Sequence, residues 1–251
     1  MQKLISSLQL GAPIHFFTPL RQTDSLICSL KLHSFVFNPM RFIFFLLLSF
    51  HALGQPAPFE SEIKAFEAKD QQTPPPRRPI LFTGSSSIRL WNGLPQYFPD
   101  KTVLNRGFGG SQLSDVRHFA DRIIVKYRPK QIVLYAGEND IATGKQTAQQ
   151  TYDRFVDLFE YVRKRLPGVP FVFISIKPSP SRRQYQPIVI EANRLIKQYL
   201  STKRNTRFVD VYTPMLGANQ QPMGHLFKGD SLHMQAAGYQ IWAKAIGPVL
   251  K

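Results

Sequence analysis

The 251-residue chain has one cysteine, Cys28, and only 16 acidic side chains against 32 basic ones. A single cysteine excludes an intramolecular disulfide, a cysteine-based zinc site and an iron–sulfur cluster. The apolar run Phe42 to Phe50 is too short for the roughly 20 residues that span a bilayer, so no stable membrane anchor is expected. Internal repeats are absent. Six histidines are scattered without ligand spacing, which implies neither metal nor cofactor, and His118 and His225 read as surface residues. What is present is 43% hydrophobic and 12% aromatic side chains, which excludes a disordered or collagenous chain. The length fits one ordinary domain with some extra sequence. The shortage of acids leaves a formal net charge of +16. That balance fits nucleic acid, an anionic surface or a well-solvated exterior, and charge alone does not choose among them.

Met40-Arg41, the apolar run to Phe50 and the small residues Ala52 and Gly54 have the layout of a secretory signal. Residues 40–54 are therefore expected to be a signal peptide. Residues 1–39 form an upstream extension, with Met40 expected as the initiator, and the processed protein is expected to be exported. Removing 1–54 deletes Lys3, Arg21, Lys31, Arg41 and Asp24, leaving 28 basic against 15 acidic residues, or +13. The basicity belongs to the folded part. With Cys28 also removed, the remainder has no thiol to mispair in an oxidising compartment.

Residues 55–79 read as an amphipathic helix, about 59–70 with Phe59, Ile63 and Phe66 on one side, and a stiff Pro-rich connector ending in Arg77-Arg78. From Pro79 onward, short apolar strands alternate with amphipathic helices. Strands are expected at 80–83, 103–105, 132–135, 171–174 and 208–211. Helical stripes run from Val116 to Tyr127, Tyr152 to Val162, Ala192 to Tyr199 and Ile241 to Val249. This alternation predicts an α/β fold, a parallel sheet covered on both faces. Ligands of such sheets sit beyond the carboxyl ends of the strands, so the residues just after each strand carry the chemistry.

After the first strand comes Gly84-Ser85-Ser86-Ser87, which can present a hydroxyl at a helix start or simply cap it. After the second comes Asn105-Arg106-Gly107-Phe108-Gly109-Gly110, whose glycines let backbone N–H groups approach a ligand. After the third comes Gly137-Glu138-Asn139-Asp140, where the Asn139 amide could donate into a site or form an Asx turn. Near the C-terminus, Asp230-Ser231-Leu232-His233 spaces a carboxylate and an imidazole so that Asp230 could orient the His233 ring. Each motif alone also fits a bland structural role.

Taken in this order, the four motifs over residues 80–251 resemble the SGNH subgroup of the GDSL lipase/esterase family. The stretch from Phe82 to Trp91 is similar to platelet-activating-factor acetylhydrolase-like members. The resemblance implies a three-layer α/β/α sandwich around a central five-stranded parallel sheet, the flavodoxin-like SGNH hydrolase fold. It implies Ser86 as nucleophile, His233 as general base and Asp230 as its orienting partner. Gly110 and Asn139, with the Ser86 N–H, become the implied oxyanion hole. Ser85 stands where the family motif has Asp, a position that is not the nucleophile.

The implied reaction is hydrolysis of an ester through an acyl-enzyme. Arg89, Trp91, Arg106 and Lys177, with Arg182 and Arg183, lie in strand-end loops and are expected substrate contacts for a sugar or anionic group. An exported hydrolase without a long apolar lid points to short acyl groups, acetyl esters on glycans above long-chain lipids. Two other readings stand beside it: a non-catalytic glycan- or envelope-binding relative, and a nucleic-acid-binding basic protein. The dispersion of Lys and Arg argues against the second, so no nucleic-acid partner is expected. The positive charge is expected to attract the protein to anionic glycans or an anionic cell envelope.

Overall fold

The computed structural model describes residues 57–251. The expected signal segment 40–54, the extension 1–39 and Cys28 lie outside the described residues.

Five strands, β1 (Ile80–Gly84), β2 (Val103–Gly107), β3 (Gln131–Tyr135), β4 (Phe171–Ile174) and β5 (Thr206–Val209), form one parallel sheet in the order β2-β1-β3-β4-β5. The helices are α1 (Glu60–Gln72), α2 (Ser86–Arg89), α3 (Leu94–Tyr97), α4 (Leu113–His118), α5 (Ala120–Ile123), α6 (Glu138–Ala142), α7 (Ala148–Arg165), α8 (Gln186–Ser201) and α9 (Ala236–Ile246). β1, β3 and β4 are buried along their whole length, whereas the edge strands β2 and β5 are only partly buried. Alternate strand residues feed two cores, as a period of two requires. Leu81, Leu134 and Phe173 pack under α4, α7 and α8, while Phe82, Val133 and Ile174 face Trp242 of α9. This is the three-layer α/β/α arrangement that the alternation and the resemblance imply.

Two expected elements differ from those observed. The stripe from Val116 to Tyr127 is broken into α4, α5 and a 3₁₀ turn because Phe119 and Ile124 leave helical geometry. β5 lies at 206–209 instead of 208–211, so Asp210 and Val211 are past its end. The helix expected at about 59–70, with Phe59, Ile63 and Phe66 on one side, is observed as α1 (Glu60–Gln72). α1 buries Ile63 completely, with Phe59 and Phe66 packed against the same core, a burial worth about 1.5–3 kcal/mol for Ile63 alone.

The strand order reverses between β1 and β3, which opens a crevice beyond their carboxyl ends. Gly84 pairs in register with both Gly107 and Tyr135, so the turn leaving β1 sits between the ends of β2 and β3.

Candidate active site

The turn out of β1 depends on Gly84, whose φ is +119° and whose added Cβ would lie 1.9 Å from the Tyr135 carbonyl oxygen. No L side chain fits there. Ser85 donates its N–H to that carbonyl at 2.9 Å, and Ser86 begins the single turn of α2. A helix of four residues has little macrodipole, so any anion-stabilising effect comes from individual N–H groups. Below the turn, the Tyr239 hydroxyl donates to the Ser87 carbonyl at 3.0 Å and so props α2.

Of the three serines, Ser86 is the one paired with the histidine: its Oγ lies 3.0 Å from His233 Nε2. His233 Nδ1 lies 2.6 Å from Asp230 Oδ2. The Asp230–His233 pair is held by a tight turn and not by a helix. Asp230 Oδ1 accepts the Leu232 and His233 N–H groups, each at 2.9 Å, and Ser231 between them has φ +56°. The ring hydrogen bond, helped by those two N–H groups, holds the Asp230 carboxyl well below the usual carboxylate range. Asp230 therefore stays anionic and can keep the proton of a neutral His233 on Nδ1, leaving Nε2 to accept from Ser86.

The end of β2 packs on α2 so closely that a Cβ on Gly107 would lie 2.5 Å from the Arg89 backbone nitrogen. Among the described residues, neither the Ser86 N–H nor the Gly110 N–H meets a hydrogen-bond acceptor. Asn139, at the start of α6, stands beside this loop: its Nδ2 is 3.9 Å from where a Gly110 Cβ would be. One Asn139 amide hydrogen is donated to the Ser111 carbonyl at 3.0 Å, leaving the second free. Ser86, Asp230 and His233 are thus brought together, and Gly110 lies beside Asn139.

The expected substrate contacts divide. Arg89 is exposed, its guanidinium 3.8 Å from Glu62. Trp91 is not available to a ligand: it is 2% exposed, packed among Phe82, Phe98, Tyr239 and Trp242. Arg106 is also buried, ion-paired with Asp70 of α1 and stacked between Phe66 and Tyr127. Lys177 is fully buried and donates to Glu138 at 2.7 Å and to Ser179 at 2.6 Å. These three corrections share one cause. A strand-end position does not reveal which way a long side chain points, and here each turns inward to a partner.

Two supports were not foreseen. Arg182 donates to Asn139 Oδ1 at 2.9 Å, fixing the amide plane, and also lies 3.7 Å from Glu138. Burial works to raise the Glu138 carboxyl, but the adjacent Lys177 and Arg182 charges outweigh it and hold it below its ordinary value. Burial also lowers Lys177, against the attraction of Glu138. On the other flank, Glu62 of α1 accepts the Gly109 N–H at 3.0 Å, and Phe59 packs edge-on against Phe108, so α1 braces the glycine loop. An available signal was the four acids of α1 in a chain short of acids.

A nucleophile-base-carboxylate relay beside unpaired N–H donors is suited to acyl transfer. The model of the GDSL-like Lipase/Acylhydrolase family matches residues 82–241. No curated protein matches the chain. Among solved structures, a Streptococcus pneumonia protein whose name refers to platelet activating factor superposes with a TM-score of 0.66 at 21% identity, covering 85% of this chain and 98% of its own. A GDSL-like lipase from Bacteroides thetaiotaomicron gives 0.63 at 22%, covering 74% and 96%. An acetylxylan esterase from Geobacillus stearothermophilus, in a catalytic mutant form, gives 0.55 at 14%, covering 68% and 93%. At these identities the likeness shows a shared fold.

Proposed function

We propose, since the chain belongs to the GDSL-like Lipase/Acylhydrolase family and is a carboxylic ester hydrolase, that it cleaves short-chain esters through an acyl-enzyme on Ser86. The observation that carries this reading is the continuous relay Ser86 Oγ, His233 Nε2, His233 Nδ1, Asp230 Oδ2, with gaps of 3.0 and 2.6 Å. Ser86 Oγ attacks the ester carbonyl carbon while His233 Nε2 takes its proton. Negative charge moves to the carbonyl oxygen, where the Ser86 and Gly110 N–H groups and the free Asn139 amide hydrogen would receive it. The tetrahedral intermediate collapses, His233 protonates the departing alcohol, and the acyl group stays on Ser86. Water then attacks the acyl-enzyme with His233 again as base, releasing the acid and restoring the hydroxyl.

A small acyl group, acetyl above longer chains, fits the surface. Ile190 on α8, 53% exposed, is the one large apolar side chain exposed among the described residues, so no apolar strip flanks the site for a long chain. The Geobacillus stearothermophilus neighbour is an acetylxylan esterase, which supports an acetylated carbohydrate as substrate, and Arg89 and Arg183 of the strand-end segments are exposed. Action on an exported, acetylated glycan also agrees with the secretory layout of residues 40–54.

The test is labelling by a fluorophosphonate followed by mass spectrometry, run with hydrolysis of p-nitrophenyl acetate. Label on Ser86, and its loss with turnover in a folded Ser86→Ala variant, is the expected result. A label elsewhere, or full activity in Ser86→Ala, overturns the assignment. A preference for long-chain over acetyl esters would overturn the acyl-size reading alone.

A further inference from the structure

We propose that the amino end of the sheet, opposite the candidate active site, is a docking surface for an anionic lipid bilayer. In a parallel sheet all strands enter from one end, and here that end carries the charge. The entry segments 73–79, 98–102, 125–130, 163–170 and 201–205 contain eleven Lys or Arg and one acid, Asp100. The exit segments 85–92, 108–112, 136–147, 175–186 and 210–235 contain six Lys or Arg and four acids. The entry segments thus sum to +10 and the exit segments to +2, against +13 for the whole of residues 55–251, and three of the eleven entry cations, Lys126, Arg165 and Lys203, are paired with Asp70, Asp121 and Glu160 of the flanking helices. Dispersed in sequence, the basic residues are concentrated in space.

Most of these cations are unspent. Arg77, Arg78, Arg128 and Arg204 are exposed and have no acidic partner among the described residues, unlike Arg165 with Asp121 or Lys203 with Glu160. Three shallow depressions open on this end: Arg77 and Arg128 line one, Arg163, Lys203 and Arg204 line the second beside Glu160, and Arg207 and Lys251 line the third. The patch extends in two dimensions. Five strands about 4.8 Å apart make a front of about 19 Å, and the cations lie on both sides of it, by the turn after α5 and by the C-terminus after α9. A linear polyanion engages a line of such charges; a plane of anionic headgroups engages all of them. No large apolar side chain is exposed on this end among the described residues, and none of their helices is long and apolar enough to cross a membrane. Contact is therefore at headgroup level, through charge.

The two ends are separated by the strand length, about 15 Å for four to five residues, which exceeds the Debye length of about 8–10 Å at physiological salt. The patch does not draw an anionic substrate into the site. It holds the protein on a surface with the site facing away from it.

The experiment is co-sedimentation of the full chain with vesicles of phosphatidylcholine alone, or with about 30% phosphatidylglycerol, at low and high salt. Binding is expected only with phosphatidylglycerol, and it should weaken at least about tenfold between about 50 and 500 mM salt. The variant Arg77→Gln/Arg78→Gln/Arg128→Gln/Arg204→Gln should lose at least about tenfold in affinity, each cation near an anionic leaflet contributing up to about fivefold. A control with the same charge change elsewhere, Lys64→Gln/Lys145→Gln/Lys197→Gln/Lys244→Gln, should stay within about twofold. Circular dichroism and p-nitrophenyl acetate hydrolysis should match the unaltered protein in both variants. Equal loss in the control, salt-independent binding to neutral vesicles, or retention on heparin or DNA without vesicle binding would each overturn the proposal. Because folding is followed by dichroism, a failure of the esterase reading leaves the vesicle result interpretable.

Discussion

Arg182 touches none of the reacting atoms of the proposed mechanism, and removing it should slow the chemical step through Asn139. Its guanidinium donates to Asn139 Oδ1 at 2.9 Å, while Asn139 Nδ2 is held by the Ser111 carbonyl at 3.0 Å. Arg182→Gln deletes a charge-assisted hydrogen bond worth about 1.5–3 kcal/mol. If that energy serves only to orient the amide, the rate falls by about 10- to 150-fold at 1.36 kcal/mol per decade. The surviving bond to Ser111 places the expected loss near the lower end. Glu138 keeps Lys177, Ser179 and Tyr135 as partners after the change, so the fold should persist. Steady-state kinetics on p-nitrophenyl acetate should show the loss in kcat with KM nearly unchanged, and Arg182→Lys should restore part of it. Asn139→Ala should cost about 100- to 1,000-fold, and adding Arg182→Gln to it should cost almost nothing more, because both act through one donor. Full activity in Arg182→Gln, or additive losses in the double variant, would refute the argument.

Asp230→Asn should lower kcat by about 100- to 10,000-fold, because the amide can donate to His233 and favour the wrong tautomer; an unchanged rate would mean that Asp230 does not orient the ring. Gly84→Ala should lose about 4 kcal/mol or more, or fail to fold, since the new Cβ would sit 1.9 Å from the Tyr135 oxygen at a φ of +119°; thermal melts decide, and a Tm near that of the unaltered protein contradicts the close approach. Glu138→Gln leaves the Lys177 ammonium buried without its counter-charge and should cost about 3–5 kcal/mol at neutral pH in urea unfolding. Because the folded-state Glu138 value is depressed, the contribution of its charge is fully present above the ordinary glutamate value of 4.5 and is lost as pH falls through the lower folded value. The difference between the two proteins should therefore be flat above about pH 5 and shrink below it; a difference that persists undiminished to about pH 3 would place the stabilisation elsewhere.

The central strands were legible because β1, β3 and β4 are buried on both faces and so appear as unbroken apolar runs. β5 was displaced by two residues because an edge strand need not be apolar: Arg207 sits in it exposed, whereas Val211, beyond its end, is buried. The serine could be placed just past β1 because the parallel topology itself puts reactive groups at strand ends, whereas the Asp-His pair, about twenty residues past β5, was read from its own spacing near the C-terminus. Among three serines in a row, Ser86 was singled out by its place in the motif that carries the family resemblance; its pairing with the imidazole depends on the φ of Gly84 and on where the chain returns 147 residues later. Arg182 was noticed as a loop arginine, but its bond to Asn139 spans 43 positions and leaves no local pattern.

The segment before β1 shows what composition can reveal when it is read against its own background. Four of the chain's sixteen acids lie within the thirteen residues of α1, a concentration that makes sense only if the helix meets cations. It does so at each acid. Glu60 and Glu67 both grip Arg122, Asp70 holds Arg106 and Lys126, and Glu62 takes the Gly109 N–H and lies 3.8 Å from Arg89. Singly, such exposed pairs contribute little. The Arg106–Asp70 pair is different, since both side chains are 7% exposed and loss of either would strand a buried charge. Arg106 directly precedes Gly107 at the end of β2, and Glu62 binds Gly109, so the helix is anchored on both sides of the glycine loop that presents the Gly110 N–H. That anchoring gives α1 a place in the support of the candidate site although it lies outside the 82–241 span that identifies the family.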